Sequence, residues 1–150
     1  MNNKKQNILI AGANGTTGRI IINLLKDSEI YRPIAMVRKQ AQKEVFEKSQ
    51  VASVVADLEK DLSHAVKDED KVIFAAGSRG ENVIGVDQEG AKKLTDAAKD
   101  ISVKKFIMLS TMGADNPSVS EELEDYLKAK QNADEYLKTS GLNYSIVRPG

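Results

Sequence analysis

Residues 7–18 read NILIAGANGTTG, a short apolar run that leads directly into a glycine-rich loop. The run predicts a buried strand, and residues 19–25 beyond the loop predict a helix with an apolar face. Three glycines, Gly12, Gly15 and Gly18, give the loop the spacing G-x-x-G-x-x-G. A strand, a tight glycine turn and a helix in this order are typical of the first unit of a doubly wound α/β sheet.

The same alternation of apolar runs and helical stretches continues along the chain. The predicted strands lie at residues 7–11, 31–37, 51–56, 71–76, 104–110 and 143–147. The predicted helices lie at residues 19–25, 40–48, 58–66 and 83–99, with a last one that begins at Ser118 or Ser120, has Glu121, Glu122 and Glu124 in its first turn and runs to Lys138. Near-continuous apolar strands separated by helices predict a parallel sheet covered on both faces. Right-handed crossovers favour the strand order 3-2-1-4-5-6, which is a three-layer Rossmann fold of the α/β class.

The composition excludes several classes of binding partner and of metal site. The 150 residues predict one domain, and Lys plus Arg equal Asp plus Glu, 22 against 22, so no global field favours nucleic acid or an anionic membrane. The absence of cysteine and the single histidine, His64, exclude thiolate and multi-histidine metal sites. We predict no metal site, and we interpret His64 as structural or solvated. No apolar signal region or membrane-length segment is present, which predicts a cytoplasmic protein; an oligomer is possible.

The glycine loop predicts a site for the pyrophosphate of a dinucleotide. Gly12 permits the tight turn, Gly15 lets the backbone approach the pyrophosphate, and Gly18 allows close packing of the helix. The N–H groups and the dipole of the helix start then bind phosphate. A loop that only turns the chain is the alternative, but the position between the first strand and the first helix favours binding. The predicted contacts in this loop are Gly12, Asn14, Gly15, Thr16, Thr17 and Gly18.

The end of the second predicted strand indicates which dinucleotide binds. NAD-selective domains place an acidic residue there for the ribose hydroxyls, whereas this chain has Arg38 and Lys39. A basic pair suits a 2′-phosphate, so we predict that NADP(H) is preferred and that NAD(H) binding is possible. Two solvated charges at the start of a surface helix are the alternative.

Two further strand ends are predicted to contact the cofactor. Asp57 follows the third strand, where an aspartate can bind the adenine amino group while Leu58 packs on the ring; a helix N-cap is the alternative role of Asp57. Ala75, Ala76 and Gly77 follow the fourth strand and are small enough for the backbone to lie against a cofactor ribose. A simple tight turn is the alternative for these three residues.

These motifs together resemble the atypical short-chain dehydrogenases/reductases, in particular the small NAD(P)H-binding branch near the NmrA-like proteins and the biliverdin/flavin reductases. The matching segments cover nearly the whole chain in order and are residues 11–19 (AGANGTTGR), 37–38, 56–58, 75–78, 109–111, 126–130, 133–134 and 146–150 (IVRPG). In family members a small subdomain normally follows the last segment and supplies much of the substrate cleft. We therefore expect residues 1–150 to be a single NAD(P)-binding domain that lacks this C-terminal extension. Whether the sequence is part of a longer protein or naturally short stays open.

The resemblance also implies candidate catalytic residues. Tyr126 and Lys130 are four residues apart and share one face of the last predicted helix. In reductases of this superfamily such a tyrosine donates a proton to the carbonyl oxygen, while the lysine lowers the tyrosine pKa and binds the nicotinamide ribose. Ser110 or Thr111, after the fifth strand, would orient the substrate oxygen. A chance Tyr-Lys pair is the alternative, since members of the atypical branch often depart from this catalytic set.

The sequence supports two functions from different classes. The leading hypothesis is an NADP(H)-dependent oxidoreductase that acts on a small carbonyl, quinone or flavin-like acceptor. The alternative is a non-catalytic regulator, NmrA-like, whose NAD(P) occupancy reports the redox state to a protein partner. A sugar-nucleotide epimerase is a third possibility that the short chain disfavours.

Overall fold

The computed structural model describes residues 4–150, so residues 1–3 at the N-terminus, where the absence of a signal region was predicted, lie outside the described residues. Six parallel strands form one sheet in the order β3-β2-β1-β4-β5-β6, which confirms the predicted topology. The strands are β1 Gln6–Ala11, β2 Tyr31–Val37, β3 Ala52–Val55, β4 Lys71–Phe74, β5 Lys105–Leu109 and β6 Tyr144–Val147.

Helices cover the sheet on both faces. They are α1 Thr16–Leu25, α2 Gln40–Lys48, α3 Ser63–Val66, α4 Glu89–Asp100 and α5 Glu124–Lys138. On one face Ile22 of α1 and Phe46 of α2 pack with Ile10 of β1. On the other face Leu94 of α4 and Leu137 of α5 belong to the larger core. Alternate residues of each strand thus enter the two cores, as expected for a buried parallel sheet.

Four of the five helices differ in their bounds from the prediction, and α1 is the first of them, since it begins at Thr16 rather than at Arg19. The predicted helix 83–99 is a π-helix at Val83–Gln88 followed by α4, and the Asn82 side chain accepts from Gly85 N at its start. Of the predicted helix 58–66, only α3 forms.

The last helix, α5, begins at Glu124 rather than at Ser118 or Ser120. A 3₁₀ turn, Pro117–Val119, precedes it, and Ser120 Oγ accepts from Leu123 N at 3.3 Å in a local turn. Glu121 and Glu122 therefore lie outside the first helical turn, where Glu124 and Asp125 are found instead. The later start matters for the site because the helix carries Tyr126 only two residues after its first residue.

Candidate functional site

All six strands end at the same edge of the sheet, and the glycine loop lies at the end of the central strand β1. Gly12 has φ +81°, and a Cβ there would lie 2.5 Å from Ala76 Cα and 2.6 Å from Ala75 O. Glycine is therefore required at position 12 both by the backbone conformation and by the close approach of the chain after β4. A Cβ at Gly18 would overlap the carbonyl of Gly12, so this glycine lets α1 pack against the loop itself.

Gly15 differs from the other two glycines because space is available around it. The nearest neighbour of a Cβ at this position is Gly12 O at 3.4 Å, an ordinary contact. Gly15 is the N-cap residue of α1, no side chain caps this helix, and no acidic residue lies in its first turn. The neighbouring Arg19 donates from Nε to Asn14 O at 3.0 Å. The helix start is thus open and free of acidic residues, which are the conditions that favour an anion.

A cavity of about 580 Å³ opens beside this loop, at the carboxyl ends of the strands. Of the predicted cofactor-binding residues, those that line it are Gly12, Asn14, Gly15, Arg38, Asp57, Leu58, Ala75, Ala76 and Gly77. Those that do not line it are Thr16, Thr17, Gly18, Lys39 and Lys130. Residues from four separate loops therefore come together around one space, which is the place where open α/β sheets bind ligands.

Arg38 and Lys39, the basic pair after β2, lie in two different environments. Gln42 Oε1 accepts from the backbone N–H groups of both Arg38 and Lys39, each at 3.1 Å, and so fixes the start of α2. Both side chains are exposed, but Arg38 lines the cavity and Lys39 does not. Arg79, which follows β4 with φ +56°, is a second exposed cation on the cavity wall.

The residues after β3 form a turn rather than a helix cap. Asp57 Oδ1 accepts from Glu59 N at 2.9 Å, and α3 begins only at Ser63 with Leu62 as its N-cap. The alternative role of Asp57 as a helix N-cap is therefore wrong, because the carboxylate closes a local turn six residues before the helix. Leu58 is buried at the base of the cavity, where a Cβ on Gly90 of α4 would lie 2.8 Å from its Cβ.

Lys130 is buried on α5, with 2% of its surface exposed. Its Nζ donates to Leu109 O at 3.0 Å, at the end of β5, and lies 5.4 Å from the centre of the Phe74 ring. Burial lowers the pKa of this ammonium, and the carboxylates of Asp87 and Asp134 oppose that effect.

Tyr126 lies one turn before Lys130, and its surroundings shift the pKa of its phenol in the direction opposite to the expected one. Burial, and next the negative charge of Asp87, raise the pKa of the phenol. The expectation that Lys130 lowers the Tyr126 pKa is therefore wrong for this structure, because both effects disfavour the phenolate.

Ser110 and Thr111, after β5, are not equivalent. Ser110 is buried and its hydroxyl donates to Asp134 Oδ2 at 2.6 Å, an oxygen that Arg148 Nη2 also approaches at 3.1 Å. The Ser110 hydroxyl thus donates its hydrogen bond to the carboxylate of the Asp134–Arg148 ion pair. Thr111 is partly exposed and lies outside this hydrogen-bond network. None of Ser110, Thr111, Tyr126 and Lys130 lines the cavity beside the glycine loop.

Sequence reasoning missed two carboxylates of this region as site residues. Asp134 lay in a motif of the resemblance, but nothing indicated that it would bind Ser110 and Arg148 together. Asp87 lies in the π-helix, is buried, and accepts from Ser78. A buried aspartate in an amphipathic stretch is visible in the sequence only as a break in the apolar pattern, so its partner could not be predicted.

The remaining predictions concern metals, membranes and the histidine. His64 is exposed, and its Nε2 lies 2.9 Å from Val55 O. Among residues 4–150 no three His, Asp or Glu side chains are grouped so that they could hold a metal ion. No helix in the same range is long and apolar enough to cross a membrane. The cellular location stays a prediction.

A glycine loop and a cavity at the carboxyl edge of a doubly wound parallel sheet define a nucleotide-binding Rossmann protein. Residues 12–150 match the sequence model of a family described as NAD(P)H-binding. The chain belongs to this NAD(P)H-binding family, which confirms the resemblance drawn from its motifs.

Comparison with individual proteins agrees with this membership. The chain is 38% identical to a Bacillus subtilis protein called an uncharacterized sugar epimerase, YhfK, over 95% of this chain and 71% of the relative. A solved structure of a putative NAD-dependent epimerase/dehydratase from Bacillus halodurans superposes with a TM-score of 0.90 at 39% identity, covering 97% of this chain and 70% of the other. The structure of the oxidoreductase ylbE from Lactococcus lactis gives a TM-score of 0.85 at 31% identity, with 97% and 69% covered.

Proposed function

We propose that this protein is an NADP(H)-dependent oxidoreductase of the atypical short-chain type, acting on a small carbonyl, quinone or flavin-like acceptor. The observation that carries the proposal is the cavity that joins the glycine loop to Arg38. Membership of the NAD(P)H-binding family supports the cofactor class, and Arg38 supports the phosphorylated dinucleotide.

The residues at the carboxyl edge fit a dinucleotide. The open start of α1 and the unobstructed space at Gly15 suit the pyrophosphate. The adenosine half would occupy the cavity, with its 2′-phosphate at Arg38, its adenine at Asp57 and Leu58, and a ribose along residues 75–77. Lys39 does not line the cavity and is left out of this set.

The chemistry would take place beyond the cavity, at the ends of β5 and α5. The bound nicotinamide supplies the hydride. Tyr126 is proposed as the acid because it lies one turn before Lys130 on α5, as in the reductases that the sequence resembles. Lys130 is proposed to bind the nicotinamide ribose. Thr111 is the better candidate for orienting the acceptor oxygen, because the Ser110 proton is already donated to Asp134.

The proposal includes a domain organisation. We propose that residues 1–150 form one NAD(P)-binding domain. The B. subtilis relative is longer, since the match covers 71% of it.

Two other functions compete with the reductase. A redox-sensing regulator needs the same cofactor site but no acceptor. The sequence alone disfavoured a sugar-nucleotide epimerase, but the names of the B. subtilis and B. halodurans relatives support this alternative.

Acceptor-dependent oxidation of NADPH separates these functions. The purified protein is mixed with NADPH and, in turn, a quinone, a free flavin and an aldehyde, with the Gly15→Val variant as the matched control. The reductase predicts turnover with one acceptor class that the control lacks. NADPH binding without turnover of any acceptor would support the regulator. In a parallel incubation of the protein with NAD⁺ and a sugar nucleotide, interconversion of the sugar without net oxidation would support the epimerase.

A further inference from the structure

Two exposed side chains join opposite flanks of the cavity beside the glycine loop. Glu59 follows β3, Asn82 follows β4, and Asn82 Nδ2 donates a hydrogen bond to Glu59 Oε1. Because β2 and β1 lie between β3 and β4 in the sheet, the strands that carry these loops are three strand spacings apart, about 14 Å. Both residues line the cavity, so this pair, Glu59 and Asn82, forms a clasp from one flank of the cavity to the other.

Each half of the clasp is also anchored to its own side of the cavity. On the β3 side, Glu59 N donates to Asp57 Oδ1 at 2.9 Å, and Glu59 O accepts from Lys93 Nζ of α4 at 2.6 Å. On the β4 side, Asn82 Oδ1 accepts from Gly85 N at 3.0 Å, at the start of the π-helix. The protein itself therefore holds both loops in place, which lowers the cost of ordering them around a ligand.

Gly85 leaves the space that the clasp occupies. A Cβ at this position would lie 2.5 Å from Asn82 Nδ2 and 2.6 Å from Glu59 Oε1, the two atoms that the clasp joins. The φ of Gly85 lies outside the left-handed region, so the backbone conformation does not require glycine here. Any larger residue at position 85 would instead push the two side chains of the clasp aside.

The clasp lies next to the position proposed for the adenine ring. Leu58, the residue before Glu59, is buried at the base of the cavity, and Val86 of the π-helix lines the cavity as well. These two side chains offer apolar contacts, while the clasp offers a carboxylate and an amide. Apolar walls with a few polar groups suit a flat ring with polar edges, such as a purine.

We infer that Glu59 and Asn82 are positioning residues whose clasp encloses the adenosine half of the dinucleotide and holds it in the cavity. The inference rests on the proposed function, because only an adenine dinucleotide places adenosine between these loops. The glycine loop and Arg38 are proposed to bind the phosphates, whereas the clasp acts on the nucleoside.

Four variants separate the clasp bond from the other properties of these residues. Glu59→Ala deletes the bond but keeps the backbone contacts of residue 59 and the contact between Asn82 and Gly85. Gly85→Ala displaces the clasp while both of its side chains are still present. Glu59→Gln keeps an oxygen that can accept from Asn82 Nδ2, so it should restore the wild-type behaviour. Glu81→Ala is the matched control, since Glu81 is exposed and lines the same cavity but takes no part in the clasp.

The probe is adenosine 2′,5′-bisphosphate, which contains the adenosine half of NADPH without the nicotinamide. In calorimetric titrations we expect Glu59→Ala and Gly85→Ala to bind it about three- to tenfold more weakly than the wild type, the range that one hydrogen bond accounts for. Glu59→Gln and Glu81→Ala should bind it as the wild type does. Thermal unfolding without ligand should place all four variants close to the wild type, because the changes are made on the surface.

The outcomes distinguish the clasp from the proposed function. Wild-type affinity in Glu59→Ala and Gly85→Ala overturns the inference, and so does an equal loss in Glu59→Gln and Glu59→Ala, because the charge rather than the bond would then be responsible. If Gly85→Ala does not fold, the comparison of Glu59→Ala with Glu59→Gln decides alone. A wild type that does not bind the bisphosphate contradicts the proposed NADP(H) site and, with it, the inference. A wild type that binds it, with both clasp-breaking variants weakened, supports the inference even if no acceptor is reduced, an outcome that would contradict the reductase alone.

Discussion

Arg38 and Lys39 are adjacent basic residues with different surroundings, and the difference predicts which one selects the cofactor. Arg38→Ala should remove most of the preference for NADPH over NADH, because it deletes a charge-assisted contact to the 2′-phosphate worth about 1.5–3 kcal/mol. Lys39→Ala is the matched control and should keep the preference, since Lys39 does not line the cavity. Calorimetric titration with both dinucleotides measures the effect, and equal wild-type affinities for the two would contradict it.

Tyr126 can be tested by removing a single oxygen. If the protein is a reductase, Tyr126→Phe should lower turnover roughly 10²–10⁴-fold and leave NADPH affinity nearly unchanged, because the ring packing stays and only the proton donor is lost. Lys130→Ala should lower both quantities. Steady-state kinetics with the accepted substrate and direct NADPH titration are compared. Full turnover of Tyr126→Phe would show that the proton comes from another group or from water.

The β1–α1 loop makes a prediction about stability that is independent of any cofactor. Gly12→Ala should destabilise the fold by about 2 kcal/mol or more, because φ is +81° and the new Cβ would meet the backbone of Ala76 at 2.5 Å. Gly15→Ala is the matched control and should unfold close to the wild-type temperature, since its Cβ meets nothing closer than 3.4 Å. Thermal unfolding followed by circular dichroism decides it, and equal midpoints for the two variants would rule out the steric role of Gly12.

The strands of this sheet could be predicted from the sequence because a strand buried on both faces must be apolar throughout. β2 and α2 were predicted with the bounds that the structure gives. The π-helix before α4 could not be predicted, because a segment of six residues is too short for its apolar pattern to distinguish i→i+5 from i→i+4 hydrogen bonding. The glycine loop could be predicted because its motif is local in the sequence. The contacts of Asp87 and the Ser110–Asp134–Arg148 network could not be predicted, because they join segments that are distant in the sequence.

At the scale of the whole molecule, the two edges of the sheet carry different titrating groups. The carboxyl edge holds the cavity beside the glycine loop, and the amino edge holds Glu69, just before β4. Burial, opposed by Arg32 and assisted by the neighbouring charges of Asp68 and Asp70, raises the Glu69 pKa from 4.5 to about 7. The folded state therefore binds more protons than the unfolded state between these values. The contribution of Glu69 to the free energy of unfolding is therefore fully present below pH 4.5 and is lost as the pH rises through about 7.

Glu69→Gln should remove this pH dependence. Relative to the wild type, the variant should gain about 1–2 kcal/mol in unfolding free energy between about pH 5 and pH 8, an effect moderated by partial exposure to solvent. Glu44→Gln, on the exposed surface of α2, is the matched control and should show no such gain. Denaturant titration at both pH values measures the difference. A constant difference between Glu69→Gln and the wild type would contradict the assigned pKa.

We propose that this chain binds a nicotinamide dinucleotide at the start of α1, and one calorimetric experiment tests this binding directly. NADPH is titrated into the wild type and into Gly15→Val, with circular dichroism to establish that the variant is folded. We predict saturable binding to the wild type and none to Gly15→Val, because the valine side chain would fill the space that the pyrophosphate needs, while a Cβ at this position meets no atom of the protein closer than 3.4 Å. Near-native NADPH affinity in a folded Gly15→Val protein would contradict it and show that the loop only turns the chain.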